Sequence, residues 1–233
     1  MSNGKSYLPQ SACTLKTTAN LGDVSMVSSK ERGVGGADWT RTIVHWKGHY
    51  FTVLDRMEAR PDDQASSASD PAAASEFAFV CRWRSLQQAS MVNGVWTAAS
   101  SSGNVMRIQS AQDVFQTSTA EACDGSASPF VLRQYKQAKL AKGQAQTFQN
   151  LLFVSGPNRP DEFEARQAGP QAMLVKGKIK GPEHLALIGT DGEIPLGDFQ
   201  TDAAIYDVTA DTLRLAGVTT LRANVGKSNQ EVF

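Results

Sequence analysis

Apolar and polar residues alternate along most of the chain in short runs, and turn-forming residues separate these runs. The run "FAFVCRWRSL" at residues 77–86 is the clearest example. Successive side chains of a β-strand point to opposite faces, so this run predicts a strand with one aromatic face and one arginine-bearing face. The residues of its aromatic face are Phe77, Phe79, Cys81 and Trp83.

Similar runs, rich in β-branched and aromatic residues, recur at close spacing, and no segment keeps a helical period. Asp191-Gly192, between "HLALIGT" and "EIPLG", is the strongest hairpin signal in the sequence. Weaker turn signals lie at Lys47-Gly48, Asn93-Gly94 and Lys142-Gly143. About a dozen short strands joined by such turns predict an all-β fold, namely an antiparallel β-sandwich or supersandwich.

One polar, low-complexity stretch, "ARPDDQASSASDPAAASE" at residues 59–76, interrupts the succession of strands. Because a predicted strand lies on each side of it, we interpret it as an exposed loop rather than a linker between domains. We therefore expect a single β domain over residues 1–233. The last residues, "ANVGKSNQEVF", look like the start of another element, so we expect the chain to be a fragment of a longer protein.

Charge and cysteine content restrict the classes of partner. Lys+Arg and Asp+Glu both number 23, so no net charge attracts nucleic acid or an anionic membrane. The sequence contains no apolar run of ~18 residues that would span a membrane, and its first residues lack the apolar segment of a signal peptide. The three cysteines, Cys13, Cys81 and Cys123, lack zinc-knuckle spacing, and their odd number leaves at least one thiol free.

The segment "HWKGHY" brings two of the three histidines, His45 and His49, close together in sequence. A two-residue turn at Lys47-Gly48 would place them on opposite faces of a hairpin. A three-residue loop, Trp46-Lys47-Gly48, would place them opposite each other, and it needs positive φ only at Gly48, so we favour it. Zinc needs three or four ligands, and no third ligand lies nearby, so we predict a hairpin tip and no metal site.

Signatures of catalysis are missing from the rest of the sequence. There is no G-x-S-x-G motif, and "GVGG" at residues 33–36 has no strand-to-helix context, so we expect a flexible loop there rather than a phosphate site. The sequence therefore predicts neither a catalytic residue nor a cofactor.

Two groups of side chains are candidates for carbohydrate binding. Lys176, Lys178 and Lys180 alternate in "KGKIKG" and would share one strand face, where they could bind the sulfates or carboxylates of an acidic polysaccharide. The alternative is an edge strand that its lysines protect from aggregation. Trp39 and Trp96 are candidates for an exposed platform on which sugar rings stack.

The segment "GGADWTRTIVHWKGHYFTVLDRMEA", followed by "FAFVCRWRSL", resembles the C-terminal β-sheet region of heparinase II/III-like polysaccharide lyases. The resemblance covers residues 31–86 best and extends to about residue 155 through "AKGQAQTFQNLLF". The positions that carry it are Asp38, Trp39, Arg41, Tyr50, Phe51, Val53, Asp55, Arg56, Trp83 and Arg84.

The resemblance implies a β-supersandwich that follows a helical (α/α) toroid in lyases that cleave uronic-acid polysaccharides by β-elimination. It also implies a periplasmic or extracellular location. Neither the toroid nor the family's His-x-His metal motif occurs in this sequence, so no catalytic residue is carried over. We thus expect a noncatalytic module of such a lyase. The alternatives are an independent carbohydrate-binding or surface interaction module, and an enzyme that uses His45, His49 and Tyr50.

Overall fold

The computed structural model describes residues 13–60, 74–121, 129–158 and 162–179, together with seven short strands between residues 183 and 231. The described residues form twenty β-strands and no helix. The strands are β1 (Thr14–Asn20), β2 (Val24–Val34), β3 (Ala37–Trp46), β4 (Tyr50–Ala59), β5 (Ser75–Ser85), β6 (Ala89–Val92), β7 (Val95–Ala99), β8 (Val105–Ser110), β9 (Phe115–Ala120), β10 (Phe130–Leu140), β11 (Ala145–Ser155), β12 (Phe163–Gly169), β13 (Ala172–Lys178), β14 (Glu183–Gly189), β15 (Ile194–Leu196), β16 (Phe199–Thr201), β17 (Ile205–Val208), β18 (Leu213–Ala216), β19 (Leu221–Val225) and β20 (Ser228–Glu231).

Antiparallel pairing joins these strands into four sheets. The large sheet has eight strands in the order β1-β2-β3-β4-β11-β8-β7-β6, and the small sheet has the order β5-β10-β9. The other two have the orders β12-β13-β14-β17-β18 and β15-β16-β19-β20. The predicted all-β antiparallel class is therefore confirmed, with more strands than the expected dozen.

The central strands of the large sheet are largely buried on both faces, whereas β1 at its edge is exposed. One face packs against β12 and β13, through a cluster that includes Trp46, Tyr50 and Phe163. The other face packs against the small sheet, where Met57 and Phe148 meet Phe77 and Cys81. This three-layer arrangement explains why consecutive residues of β11, from Thr147 to Leu151, are all buried.

A reciprocal pair of amides joins the small sheet to the large one. Gln134 on β10 donates from Nε2 to Asn150 Oδ1 at 2.7 Å, and Asn150 on β11 donates from Nδ2 to Gln134 Oε1 at 3.0 Å. Both side chains are fully buried, where polar atoms need hydrogen-bond partners within the protein. Each amide provides such a partner for the other. The pair fixes how β10 sits over β11.

Three local expectations from the sequence need correction. The strands on either side of Asp191-Gly192 are not a hairpin, because β14 pairs with β13 and β17 whereas β15 pairs with β16; residues 190–193 themselves lie outside the described ranges. The "GVGG" segment is not a flexible loop: Gly33 and Val34 end β2, and Gly35 and Gly36 form a tight turn to β3 with positive φ at both residues.

The third correction concerns the loop predicted over residues 59–76. Ala59 is buried and ends β4, and β5 already begins at Ser75. Residues 61–73, the interior of the predicted loop, lie outside the described part of the chain.

Candidate functional site

A cavity of about 470 Å³ lies between the large sheet and β5, and we call it the Trp39 cavity. Its volume is in the range of sites that hold small organic molecules or sugar units. The outer edge of β5 pairs with no other described strand, so backbone N–H and C=O groups there are available to a polar ligand. The lining residues are Val34, Gly35, Trp39, Arg41, Asp55, Met57, Phe77, Ala78, Phe79, Val80, Cys81, Arg82 and Phe148.

Asp55 is the charged centre of this cavity, and only 2% of its surface is exposed. It lies directly opposite Arg41 in the β3–β4 ladder. Arg41 donates from Nε to Asp55 Oδ1 at 2.7 Å and from Nη2 to Oδ2 at 2.8 Å, which is a bidentate ion pair. Trp39 Nε1 donates to Oδ1 at 2.8 Å, so the buried carboxylate is well satisfied and orients both neighbours.

The guanidinium of Arg41 lies between two indole rings. Its Cζ is 4.8 Å from the ring centroid of Trp39 and 5.9 Å from that of Trp83. Burial lowers the pKa of Arg41, but the hydrogen bonds and the charge of Asp55 outweigh this effect and raise the pKa above its ordinary value. Arg41 is therefore a fixed cation, and a third of its side chain is exposed to a ligand.

Cys81 is the only nucleophilic thiol that lines the cavity, and its surroundings suppress its reactivity. Burial, together with the nearby carboxylate of Asp55, raises the pKa of the thiol to about 12. The thiol stays protonated at neutral pH and cannot act as a nucleophile. The chemistry available in the cavity is thus recognition of a polar or anionic ligand rather than covalent catalysis.

We expect iodoacetamide to label Cys81 in the native protein roughly a hundredfold or more slowly than the exposed Cys13, because Cys81 is buried and protonated. Peptide mass spectrometry after timed labelling at mildly alkaline pH measures both rates. The same labelling in urea is the control, since unfolding makes the two thiols alike. Equal rates in the native protein would contradict the assignment of Cys81 to the core.

Of the two tryptophans predicted to form a platform, the structure places only Trp39 at a cavity. Trp39 is half-buried, with its Nε1 held by Asp55. Trp96 is 0% exposed and packs against Ile108 and Leu132, so the expectation that it is exposed is wrong. The reason is that the small sheet covers this part of the large sheet, and Trp96 Nε1 donates to Ser118 Oγ of β9 at 2.8 Å.

The predicted lysine ladder lies on β13, away from the Trp39 cavity. Lys176 and Lys178 are exposed on one face of that strand, as their spacing predicts, whereas Lys180 lies outside the described residues. The alternative of a protected edge strand is wrong, because β13 pairs with β12 on one side and with β14 on the other.

The "HWKGHY" hairpin has neither of the two registers considered from the sequence. Trp46 pairs with Tyr50 and His45 pairs with Phe51, so the loop consists of Lys47, Gly48 and His49. The imidazole of His45 stacks on the ring of Phe51, with centroids 4.0 Å apart. His45 and His49 are thus not cross-strand partners, and the expectation that they face each other is wrong. Partial burial, and then the charge of Lys47, lower the pKa of His45.

Gly48 has φ +82°, the positive value that the sequence led us to expect at this turn. Replacing Gly48 by valine is expected to destabilise the protein by about 1–2 kcal/mol, because a β-branched residue disfavours this backbone conformation. No atom lies within 4 Å of an added Cβ, so the cost is conformational rather than steric.

Urea unfolding of the Gly48→Val and Gly48→Asn variants measures this cost. Asparagine tolerates positive φ and should recover much of the loss. If the asparagine variant is as unstable as the valine variant, the conformational explanation fails.

Arg41 and Asp55 are the site residues that sequence reasoning did not identify as a pair. The sequence does contain an indication of this pair, because Arg41 and Asp55 are equally distant from the centre of the turn between β3 and β4. Only the correct register of the hairpin shows that they are cross-strand partners. In the described ranges, His, Cys, Asp and Glu side chains form no group of three or more that could hold a metal ion. The described part of the chain also contains no helix long and apolar enough to cross a membrane.

No family model and no curated protein matches the sequence, but solved structures match the fold. Heparan sulfate lyase HepC from Pedobacter heparinus has a TM-score of 0.54 and 12% sequence identity, over 76% of this chain and 28% of that chain. A mutant of the same lyase gives the same values. The Heparinase III-BT4657 gene product has a TM-score of 0.52 and 9% identity, over 76% of this chain and 28% of that chain.

This chain therefore spans 28% of the length of those lyases. At such low identities the likeness concerns the fold alone. The chain therefore has a heparinase-like β fold over about three quarters of its length.

Proposed function

We propose that the chain is a noncatalytic β module of a heparinase-like polysaccharide lyase, in which it supports and helps to form a cleft for an acidic polysaccharide. The observation that carries this proposal is the fold likeness, which covers 76% of this chain but 28% of a heparan sulfate lyase. A module of this size leaves most of such an enzyme to other segments, and we assign the catalytic machinery to them.

The sequence also suggested an autonomous enzyme that uses His45, His49 and Tyr50. The positions of His45 and Tyr50 favour a noncatalytic role over that alternative. Tyr50 is 1% exposed and packs in the core between the large sheet and β12. His45 points to the opposite face of the large sheet, where it stacks on Phe51. An acid and a base that lie on opposite faces of a sheet cannot act on one sugar unit.

The Trp39 cavity is the part of the module that we assign to the cleft. Trp39 supplies an aromatic surface for a sugar ring, and Arg41 supplies a fixed cation for a carboxylate or sulfate. The exposed Lys176 and Lys178 are proposed as weaker contacts to the same class of polymer.

Affinity electrophoresis of the chain against heparan sulfate, alginate and a neutral glucan tests the proposal. We expect retardation by the acidic polymers, reduced in Trp39→Ala and little changed in Trp39→Phe, which keeps an aromatic surface. Ultraviolet absorbance of the unsaturated uronate product should not rise when the chain alone is incubated with either acidic polymer. Turnover, or an absence of retardation by both acidic polymers, would overturn the proposal.

The second candidate, an independent carbohydrate-binding module, predicts the same retardation. The two candidates differ in whether a helical toroid domain accompanies this chain. Sequencing the gene upstream of Met1 decides between them: a reading frame for a toroid, continuous with this chain, favours the lyase module, and an unrelated gene favours the independent module.

A further inference from the structure

The outer face of the small sheet carries three rows of side chains across the three strands, and most of these side chains are exposed or half-buried. Val131, which lies between Arg84 and Thr119, is fully buried. Tyr135 of β10 lies between Val80 of β5 and Phe115 of β9 in one row. In the next row, Arg133 lies between Arg82 and Thr117. We call this surface, together with Arg84, the arginine–aromatic face.

Two arginines of this face have no ion-pair partner among the described residues. Arg82 and Arg84 are both exposed, and neither forms an ion pair with a described residue. Arg133, which faces Arg82 across the ladder, forms an ion pair with Glu121. An anion bound beside Arg82 and Arg84 would therefore meet positive charge that no described carboxylate neutralises.

The aromatic row next to the arginines is unusually exposed for large apolar side chains. Phe115 is 70% exposed and Val80 is 43% exposed. The rings of Phe115 and Tyr135 lie 5.8 Å apart with an interplanar angle of 43°, which is a tilted aromatic contact. The apolar face of a sugar ring can pack on the exposed surface of this pair while its anionic substituents reach the arginines.

The arginine–aromatic face is continuous with the Trp39 cavity. Val80 and Arg82 belong to the face, and both also line the cavity, because β5 forms the edge of the small sheet. A linear polymer bound beside Trp39 can therefore continue across β5 without leaving the protein surface.

We propose that the arginine–aromatic face is an extension of the binding site, at which Arg82, Arg84 and Phe115 hold the next units of an acidic polysaccharide that occupies the Trp39 cavity. The sulfates or carboxylates of the chain contact the arginines, and a sugar ring packs against Phe115 and Tyr135. The choice of glycan rests on the proposed function.

Isothermal titration of the full chain with heparin oligosaccharides of two lengths, a disaccharide and an octasaccharide, tests this extension. We expect the parent protein to bind the octasaccharide more tightly. Arg84→Ala should weaken octasaccharide binding about threefold or more and leave disaccharide binding within about twofold, because Arg84 belongs to the face but does not line the Trp39 cavity. Phe115→Ala should weaken octasaccharide binding in the same direction, and a side chain that is 70% exposed contributes little to the folded core.

Arg32→Ala is the matched control, because it removes one exposed arginine on β2, outside the face. Octasaccharide binding that is unchanged in Arg84→Ala, or equally weakened in the control, overturns the extension but leaves the proposed function intact. Tighter binding of single-stranded oligothymidylate at the face than of the octasaccharide also overturns it. If the parent binds neither oligosaccharide, both the extension and the proposed cleft fail.

Discussion

Replacing Trp96 by alanine is expected to destabilise the protein by about 4 kcal/mol. Trp96 is fully buried between the large and small sheets, where it packs on Ile108 and Leu132. The substitution leaves a large cavity and removes the hydrogen bond from Nε1 to Ser118 Oγ, which ties β7 to β9. Urea unfolding followed by circular dichroism measures the free energy of unfolding.

Trp39→Ala is the matched control for Trp96→Ala, because Trp39 is half-buried and lines a cavity that is already open. Its cost should be about half as large or less. Trp96→Phe separates the two contributions of Trp96, since it keeps most of the packing but loses the hydrogen bond to Ser118. A larger loss for Trp39→Ala than for Trp96→Ala would show that Trp96 is not the anchor between the two sheets.

Replacing Asp55 by alanine is expected to cost about 3 kcal/mol, the second largest effect. The change leaves the partly buried guanidinium of Arg41 without its bidentate partner and the Nε1 of Trp39 without an acceptor. Urea unfolding of this variant gives the loss of stability. Ligand binding should fall as well, because Asp55 holds both side chains in position at the cavity.

A double-mutant cycle with Arg41→Ala tests the cause of that loss. We attribute the loss of stability in Asp55→Ala to the charge of Arg41, which is left partly buried without its partner. In that case the double variant should lose less stability than the sum of the losses in the two single variants, with a coupling energy of about 1–3 kcal/mol. Additive losses would indicate that Asp55 stabilises the fold by another route.

Alternation along the chain was sufficient to predict the fold class and many strands. In β5, the predicted aromatic face is the one that packs on the large sheet, and Arg82 and Arg84 point to solvent as expected. A prediction from alternation succeeds here because one face of the strand is buried and the other is not. Strands β1, β2, β6, β16 and β20 were not predicted. In β1, β2 and β6, the buried and exposed residues differ less clearly in polarity.

The sequence alone could not show which sheet packs against which face of the large sheet. The residues around Trp96 do not reveal which sheet covers it, and the packing of β10 and the hydrogen bond to β9 place it in the core. The ion pair between Arg41 and Asp55 likewise depends on the register of the β3–β4 hairpin. That register differs from both sequence-based alternatives because the loop consists of Lys47, Gly48 and His49. This loop is one residue longer than the two-residue turn, and it is shifted by one residue from the three-residue loop that we favoured.

The order of strands in the large sheet has a consequence for how the chain folds. Strands β1 to β4 pair with their neighbours in sequence, but the other side of β4 pairs with β11, which begins at Ala145. During synthesis, one edge of β4 stays unpaired until the segment that contains the small sheet has been made. Such non-local closure is slow, and an open, apolar edge is prone to aggregate, so the chain should depend on chaperones until β11 emerges.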